Sequence, residues 1–272
     1  MDAASPPNDL RPDEEIVAAA LAPSCEEDGE RYWSEVRILQ NRKSTQLFGK
    51  MRDLMTQDEE RKRQLAADVV AQGRVAEKEL GEHCVRFLLD ALEGEKAPRV
   101  LKAICNALGH HKSAEAIGPV VRLQGHPNAE VRHAVVFALL CQDDPAAIAT
   151  LISLSADSDR DVRNWATFGL GSMTEIDTVP LRNALLARLA EADEEIAGEA
   201  MVGLALRGDT RVAGPLLEAI NAVHRSQNDS EFGTLIFEAA AAIRAAAEKK
   251  PNDLWQPVLA RCDELGFGKR IA

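Results

Sequence analysis

The side chains best able to do chemistry in this sequence are its six histidines and five cysteines. His110, His111, His126 and His133 fall in one neighbourhood, and Cys141 follows a short distance along the chain. Zinc and iron accept imidazole and thiolate ligands, but a site requires them to converge at helical or hairpin spacing. Because that spacing is missing, we expect no bound metal and no cofactor.

Other chemical motifs are also missing. The cysteines are odd in number, widely spaced and free of any C-x-x-C pair, which predicts reduced cytosolic thiols rather than a disulfide framework. The sequence has no G-x-S-x-G, no Walker loop and no dinucleotide fingerprint. No residue pattern in the sequence indicates a nucleophile or a general base, so we expect no catalytic residues.

Composition favours helix and restricts the class of partner. Hydrophobic residues make up 46% of the chain but aromatic residues only 4%, and the excess consists of the helix-favouring Ala and Leu together with Val. The net charge of −12 would repel a phosphate backbone and attract a basic protein. An acidic surface that only keeps the chain soluble is the alternative. Without a leader-like start or a long apolar run, we expect a cytoplasmic protein that binds neither nucleic acid nor membrane.

These residues must be positioned by a repeating unit. Apolar residues recur at positions 0, +4, +7 and +8 of a frame that is clearest in EVRHAVVFALL, where it begins at Val131. The frame starts at Arg31, Lys62, Val100, Val131, Val162, Ile196 and Leu235. Spacings of 31 to 39 residues match one helix pair per repeat. The sequence therefore predicts about seven stacked helix pairs.

A second amphipathic stretch lies between successive frames and usually begins with a polar or proline cap. We expect Asp143, Asp177 and Asp209 to cap these helices, with Pro145 and Pro180 in the first turn. Neither helix of a pair can bury its apolar stripe alone, so neighbouring pairs must supply the core.

The V-R-x-x-A-x-x-A-L-G pattern, seen in Val162-Arg163 followed by Gly169-Leu170-Gly171, resembles the HEAT-like repeat family of bacteria first described in phycobilisome lyases. The resemblance covers roughly residues 30–265. The segment 157–220 is most similar to a subfamily that includes immunity proteins of polymorphic toxin loci. This resemblance implies a right-handed α-solenoid, in which an arginine at +1 ties neighbouring repeats together.

The resulting domain prediction is a disordered tail over residues 1–12 and a single solenoid over residues 13–272. A capping helix is predicted over 13–22, and a polar loop over 224–231. The +1 arginine is present as Arg63, Arg132 and Arg163 and is replaced by Leu101 and Ala197, which predicts less regular stacking near those two positions.

Positions −1, +2, +6 and +10 point away from the buried set, with +3 on the flank, and should be exposed. By resemblance they line the concave groove. The predicted central anchors are Phe137, Phe168, Trp165, His133 and Asn164, and the site continues through Arg37, Arg99, Lys102, Asn106 and His110. The alternative is that Phe137 packs on Phe168 and Trp165 and fills the gap between repeats.

Charge along the predicted groove changes from basic in the N-terminal half to acidic in the C-terminal half. We expect a monomeric, non-catalytic scaffold that recognises another protein, with an immunity-protein role that captures a basic effector as one specific version. The alternative, by analogy with the repeat family, is a lyase or isomerase that acts on a bilin.

Overall fold

The computed structural model describes residues 9–22, 29–42, 44–71, 78–226 and 231–266. Within these ranges every regular element is helical, with fifteen α-helices, two short 3-10 turns and no β-strand. The all-α prediction is therefore confirmed. The α-helices are α1 (Asp13–Ala20), α2 (Glu30–Arg42), α3 (Thr45–Met55), α4 (Glu60–Ala71), α5 (Lys78–Gly94), α6 (Pro98–His111), α7 (Ala114–Val121), α8 (Ala129–Leu139), α9 (Pro145–Leu154), α10 (Arg160–Ser172), α11 (Val179–Arg188), α12 (Glu194–Leu206), α13 (Ala213–Ser226), α14 (Glu231–Lys249) and α15 (Gln256–Leu265).

The chain divides into two compact units, residues 1–138 and residues 139–272. The helices form seven successive pairs, from α1–α2 to α13–α14, followed by α15 in the described part of the chain. In the first unit α4 packs against α2 and α6, and in the second α12 packs against α10 and α14. These are the second helices of their pairs, called B helices below, and the first helices are called A helices. Each unit is thus built as an α-solenoid of stacked pairs, as predicted, while the single domain over 13–272 stays a prediction.

The repeat frame identifies the buried side of the central B helices correctly. Val131, Val162 and Ile196, which begin three consecutive frames, are each completely buried. The frame fails in the first pair, where α2 buries Tyr32 with Val36 and Leu39 while Arg31 is exposed. The true register there is one residue later, because the large Tyr32 ring enters the core and its hydroxyl donates a hydrogen bond to Asp68 at 2.7 Å.

Two of the three predicted helix caps are wrong by one residue. Asp209 caps as predicted, since its carboxylate accepts a hydrogen bond from the N–H of Arg211. In place of Asp143, it is Asp144 that caps α9, and in place of Asp177, it is Thr178 that caps α11. In both cases the cap is the residue directly before the first helical turn, which is where the side-chain oxygen can reach the free N–H groups.

The arginine at +1 secures the turn inside its own helix pair. In each of Arg63, Arg132 and Arg163 the Nη1 atom donates to two backbone carbonyls, five and six residues earlier, in the turn between the A and B helices. Arg63 also places its Nε 2.7 Å from Glu95 at the turn of the next pair, and Arg163 lies 3.6 Å from Glu191. The implied tie between repeats is therefore accompanied by a tie within each repeat.

Helices α10 and α12 touch through their backbones. A Cβ atom on Gly203 would lie 2.5 Å from the Cα of Gly171 and 2.9 Å from a methyl group of Leu185. Any side chain larger than hydrogen would push the two helices apart. This close approach sets the spacing of the surface that α10 and α12 share.

The predicted termini and loop fall partly outside the described residues, namely residues 1–8 of the tail and residues 227–230 of the polar loop. The end of the predicted tail is held in place, because Arg11 pairs with Asp9 and, at 2.8 Å, with Glu35 on α2. Residues 224–226 continue helix α13 rather than forming a loop, since their backbone hydrogen bonds remain helical.

Candidate functional site

Two B helices of the second unit, α10 and α14, carry exposed aromatic side chains. On α10, Asp161, Trp165 and Phe168 are spaced by four and three residues and so lie on the same side of the helix. Trp165 is 43% exposed, and Phe168 is half-buried. Their rings meet edge to face with centroids 5.7 Å apart. This contact restricts the indole while leaving much of its surface accessible to a partner.

Helix α14 contributes an exposed ring that the sequence analysis missed. Phe237 occupies position +2 of the last repeat and is 42% exposed. The sequence analysis considered aromatic residues at +6, and the +6 residue of this repeat is Ala241. The sequence signal for Phe237 is an aromatic residue at +2. Because α12 packs between α10 and α14, the exposed aromatic residues belong to one layer of adjacent helices.

Carboxylates accompany the rings at position −1 of α10, at positions −1 and +3 of α12 and at position +3 of α14. We call this surface the acidic aromatic face. It consists of Trp165, Phe168, Phe237, Asp161, Glu195, Glu199 and Glu238. A surface of large apolar rings among carboxylates has the composition of a binding face for cationic side chains, which gain both ion pairing and cation–π contact.

Arg160 is surrounded by carboxylates at the start of α10. Its guanidinium pairs with Asp193 at 2.8 Å, with Glu195, and with Asp161 at 3.1 Å. Hydrogen bonds that Arg160 donates to Asp193 first, then to Glu195 and Asp161, raise the pKa of Arg160, so it stays charged. The same arginine lowers the pKa of Asp193. One cation among three carboxylates leaves the local charge negative.

Asn164 is not a surface anchor, contrary to the prediction. Its side chain is only 7% exposed, and its Nδ2 donates a 2.7 Å hydrogen bond to Glu195. Position +2 faces the neighbouring helix α12, which packs closely against α10. Asn164 therefore positions the Glu195 carboxylate rather than contacting a partner.

In the first unit, the predicted cationic residues lie on α2 and α6. Arg37 is exposed on α2, while Arg99, Lys102 and Asn106 are half-buried on α6. The ammonium group of Lys102 lies 3.1 Å from Glu130 of α8. Their role in binding stays a prediction, and so does that of His133, which is half-buried on α8.

Phe137 packs between helices α6 and α8. Its ring meets the exposed His110 imidazole edge to face with centroids 5.2 Å apart. A Cβ atom on Gly109 would lie 2.9 Å from the same Phe137 ring, so glycine is the residue that makes room for it. These contacts are to α6 and not to the Trp165 and Phe168 rings that the space-filling alternative named, and the role of Phe137 in binding stays a prediction.

The histidines of the central region have separate structural contacts. His111 Nε2 lies 3.1 Å from the Val70 carbonyl oxygen, and burial lowers the pKa of His111, which favours the neutral ring. His126 Nδ1 accepts a hydrogen bond from the backbone N–H of Asn128. Among the described residues, no three His, Cys, Asp or Glu side chains are grouped so that they could hold a metal ion.

Arg207 closes the C-terminal end of α10, and no carboxylate of the described residues forms an ion pair with it. Its guanidinium donates to the carbonyls of Leu170, Gly171, Thr174 and Ile176 at 2.8 to 3.3 Å. Burial lowers the pKa of Arg207, although the carbonyl dipoles compensate for much of the lost hydration. Helices α10 and α12 are thereby joined at their C-terminal ends as well as through their glycines.

Comparison with known proteins agrees with this architecture. Residues 85–171 match the family described as HEAT repeats. Protein YibA of Escherichia coli strain K12 is 36% identical over 93 residues, which cover 34% of this chain and 33% of that protein, and the O157:H7 protein matches equally. The match thus spans about a third of the length of these curated relatives.

Solved structures resemble a larger part of the chain. The X-ray structure of E. coli YibA has a TM-score of 0.68 at 21% identity, covering 94% of this chain and 93% of that one. An engineered protein has a TM-score of 0.55 at 18% identity, covering 94% of this chain and 74% of that one. These likenesses show the fold. In the part of the chain that the structure describes, none of the helices could span a membrane.

Proposed function

We propose that this chain is a non-catalytic scaffold that binds a basic partner protein through the acidic aromatic face. The observation that carries the proposal is the pair of exposed rings, Trp165 on α10 and Phe237 on α14, on the two B helices that flank α12, with carboxylates on all three helices. Tryptophan is among the residues most enriched in binding hot spots. A lysine or arginine of the partner could stack on an indole and pair with a carboxylate at the same time.

The net charge of −12 supports a basic partner for a second reason. Long-range attraction raises the rate at which oppositely charged proteins meet, and this contribution decreases as salt screens it. Arg160 reduces but does not cancel the negative charge at the N-terminal end of α10 and α12. The aromatic rings would then supply short-range affinity, and the carboxylates would select the charge of the partner.

The proposal is tested by site-specific crosslinking in the organism that encodes the chain. A photoreactive phenylalanine analogue replaces Trp165 or Phe237, and the control replaces Leu254, which is 58% exposed but lies outside the face. The expected result is the same basic protein captured at Trp165 and Phe237 and absent at Leu254. Capture of an acidic protein, of nucleic acid, or of nothing specific to the two positions would contradict the proposal.

A role as an immunity protein is one specific form of the scaffold proposal, and the acidic net charge of the chain favours it. It requires that the captured partner be a basic effector and that the complex block its activity. The captured protein would be assayed for toxicity when produced alone and together with this chain. Equal toxicity in both cases would reject the immunity role while leaving the scaffold proposal intact.

A further inference from the structure

A groove opens between the A helices α3 and α5 of the first unit, away from the B helices. Its volume is about 460 Å³, and its apolar floor consists of Phe48, Met55 and Phe87. The two phenylalanine rings meet edge to face with centroids 5.6 Å apart, and both are half-buried. The volume is that of a typical ligand pocket, roughly 300–1,000 Å³.

The groove is elongated along both helices. On α3 its lining residues are spaced as i, i+4 and i+7, namely Phe48, Arg52 and Met55. On α5 the lining runs from His83 to Ala91 and so also covers two turns. Three other pairs of neighbouring A-side helices do pack against each other, namely α5 with α7, α9 with α11 and α13 with α15. A two-turn groove between parallel rows of side chains suits a helix that inserts one residue per turn.

The rim of the groove is cationic on a chain that is acidic overall. Arg52 and Arg86 line it together with the single carboxylate of Asp90 and the imidazole of His83. Arg86 pairs with Asp90 at 3.2 Å, but both side chains are largely exposed, so that pair is easily exchanged. No ion pair involves Arg52 among the residues that the structure describes. The rim therefore complements an acidic ligand, the opposite of the acidic aromatic face.

We propose that the α3–α5 groove docks an acidic amphipathic helix of a partner protein. Apolar side chains of that helix enter between Phe48 and Phe87, and its carboxylates pair with Arg52 and Arg86. The site is independent of the acidic aromatic face, so the chain can hold two segments of opposite charge. With two binding sites of opposite charge, the chain acts as an adaptor between two partner segments.

The test uses the full-length protein and a fluorescent synthetic peptide that places Leu on one helical face and Glu on the other. Matched peptides replace every Glu with Lys or every Leu with Ser. Arg52→Glu should weaken the Glu/Leu peptide by at least about tenfold, because it puts a like charge at the rim. Arg122→Glu changes an exposed arginine of the same unit outside the groove and should leave the affinity unchanged. Trp165→Ala should also leave it unchanged.

Three results would overturn the proposal. One is equal binding of the Lys and Glu peptides, and another is equal affinity of Arg52→Glu and wild-type protein. The third is no binding of the Glu/Leu peptide at about 1 mM, where even weak recognition would be measurable. Vesicles containing phosphatidylserine provide a further arm. If they bind in an Arg52-dependent manner and the peptide does not, the groove recognises a membrane surface and not a protein helix.

Discussion

Replacing Gly203 with alanine should separate the two helices that carry most of the acidic aromatic face. The added Cβ would lie 2.5 Å from the Cα of Gly171, whereas non-bonded carbons rest at about 3.5–4.0 Å. The neighbouring group is backbone, so it cannot rotate away as a flexible side chain would. Helices α10 and α12 must therefore move apart, and the hydrogen bond from Arg207 to the Gly171 carbonyl must stretch.

The size of the effect follows from two opposing contributions. Alanine is favoured over glycine in a helix by about 1 kcal/mol, which stabilises the variant. Overpacking costs typically 1–3 kcal/mol, and the rigid backbone contact places this site at about 3 kcal/mol. We therefore expect Gly203→Ala to lower the free energy of unfolding by about 2 kcal/mol.

Gly49→Ala is the matched control, since it lies in helix α3 with no atom within 4 Å of an added Cβ. It should instead stabilise the protein by up to about 1 kcal/mol. Urea unfolding followed by circular dichroism measures both variants. If Gly203→Ala were as stable as Gly49→Ala, the backbone contact between α10 and α12 would not exist, and the account of how the face is positioned would be wrong.

Three further predictions concern stability. Arg207→Ala should lower the free energy of unfolding by about 3 kcal/mol in the same urea assay, because carbonyls at the end of α10 lose their donor, whereas the exposed Arg31→Ala should change little. Pairing with Arg211 lowers the pKa of Asp209 to about 2. The stability that the Asp209 carboxylate contributes should therefore be lost as the pH falls from about 4 to about 2, and Asp209→Asn should reduce this pH dependence of the free energy of unfolding. The melting temperature should not change when a chelator is added, and stoichiometric zinc or iron in the purified protein would contradict this expectation.

The repeat frame predicts the helical core well because burial repeats with helical geometry. Val131, Val162 and Ile196 are buried as expected, since apolar residues at 0, +4, +7 and +8 can only be covered by the next pair. The predicted register of α2 is wrong by one residue because Arg31 and Tyr32 are neighbours. The repeat pattern is weak in this first pair, so it does not decide which of the two side chains enters the core.

The candidate site was harder to predict because exposure depends on how closely helices approach. Position +2 gives a buried Asn164 in α10 and an exposed Phe237 in α14. The difference arises from the neighbouring helix, since α12 lies close enough to α10 for its Glu195 to accept a hydrogen bond from Asn164. The sequence pattern gives the direction in which a side chain points from its own helix. It does not give the distance to the neighbouring helix, which decides whether that side chain is exposed.

The α3–α5 groove also lies beyond the sequence pattern. Its residues belong to A helices, which the frame treats only as the partners of the B helices. Phe48 and Phe87 lie on α3 and α5, and the spacing of these two helices, which the frame does not give, leaves them lining an open groove.

The most direct test of the proposed function is the dissociation constant of the partner captured at Trp165, measured by titration calorimetry. For Trp165→Ala and Phe237→Ala we expect a loss of about 2 kcal/mol or more each, roughly thirtyfold in affinity, with stability close to that of the wild type. Leu254→Ala removes a comparably exposed apolar side chain outside the face and should bind normally. Unchanged affinity in both aromatic variants would show that the acidic aromatic face is not where this protein binds.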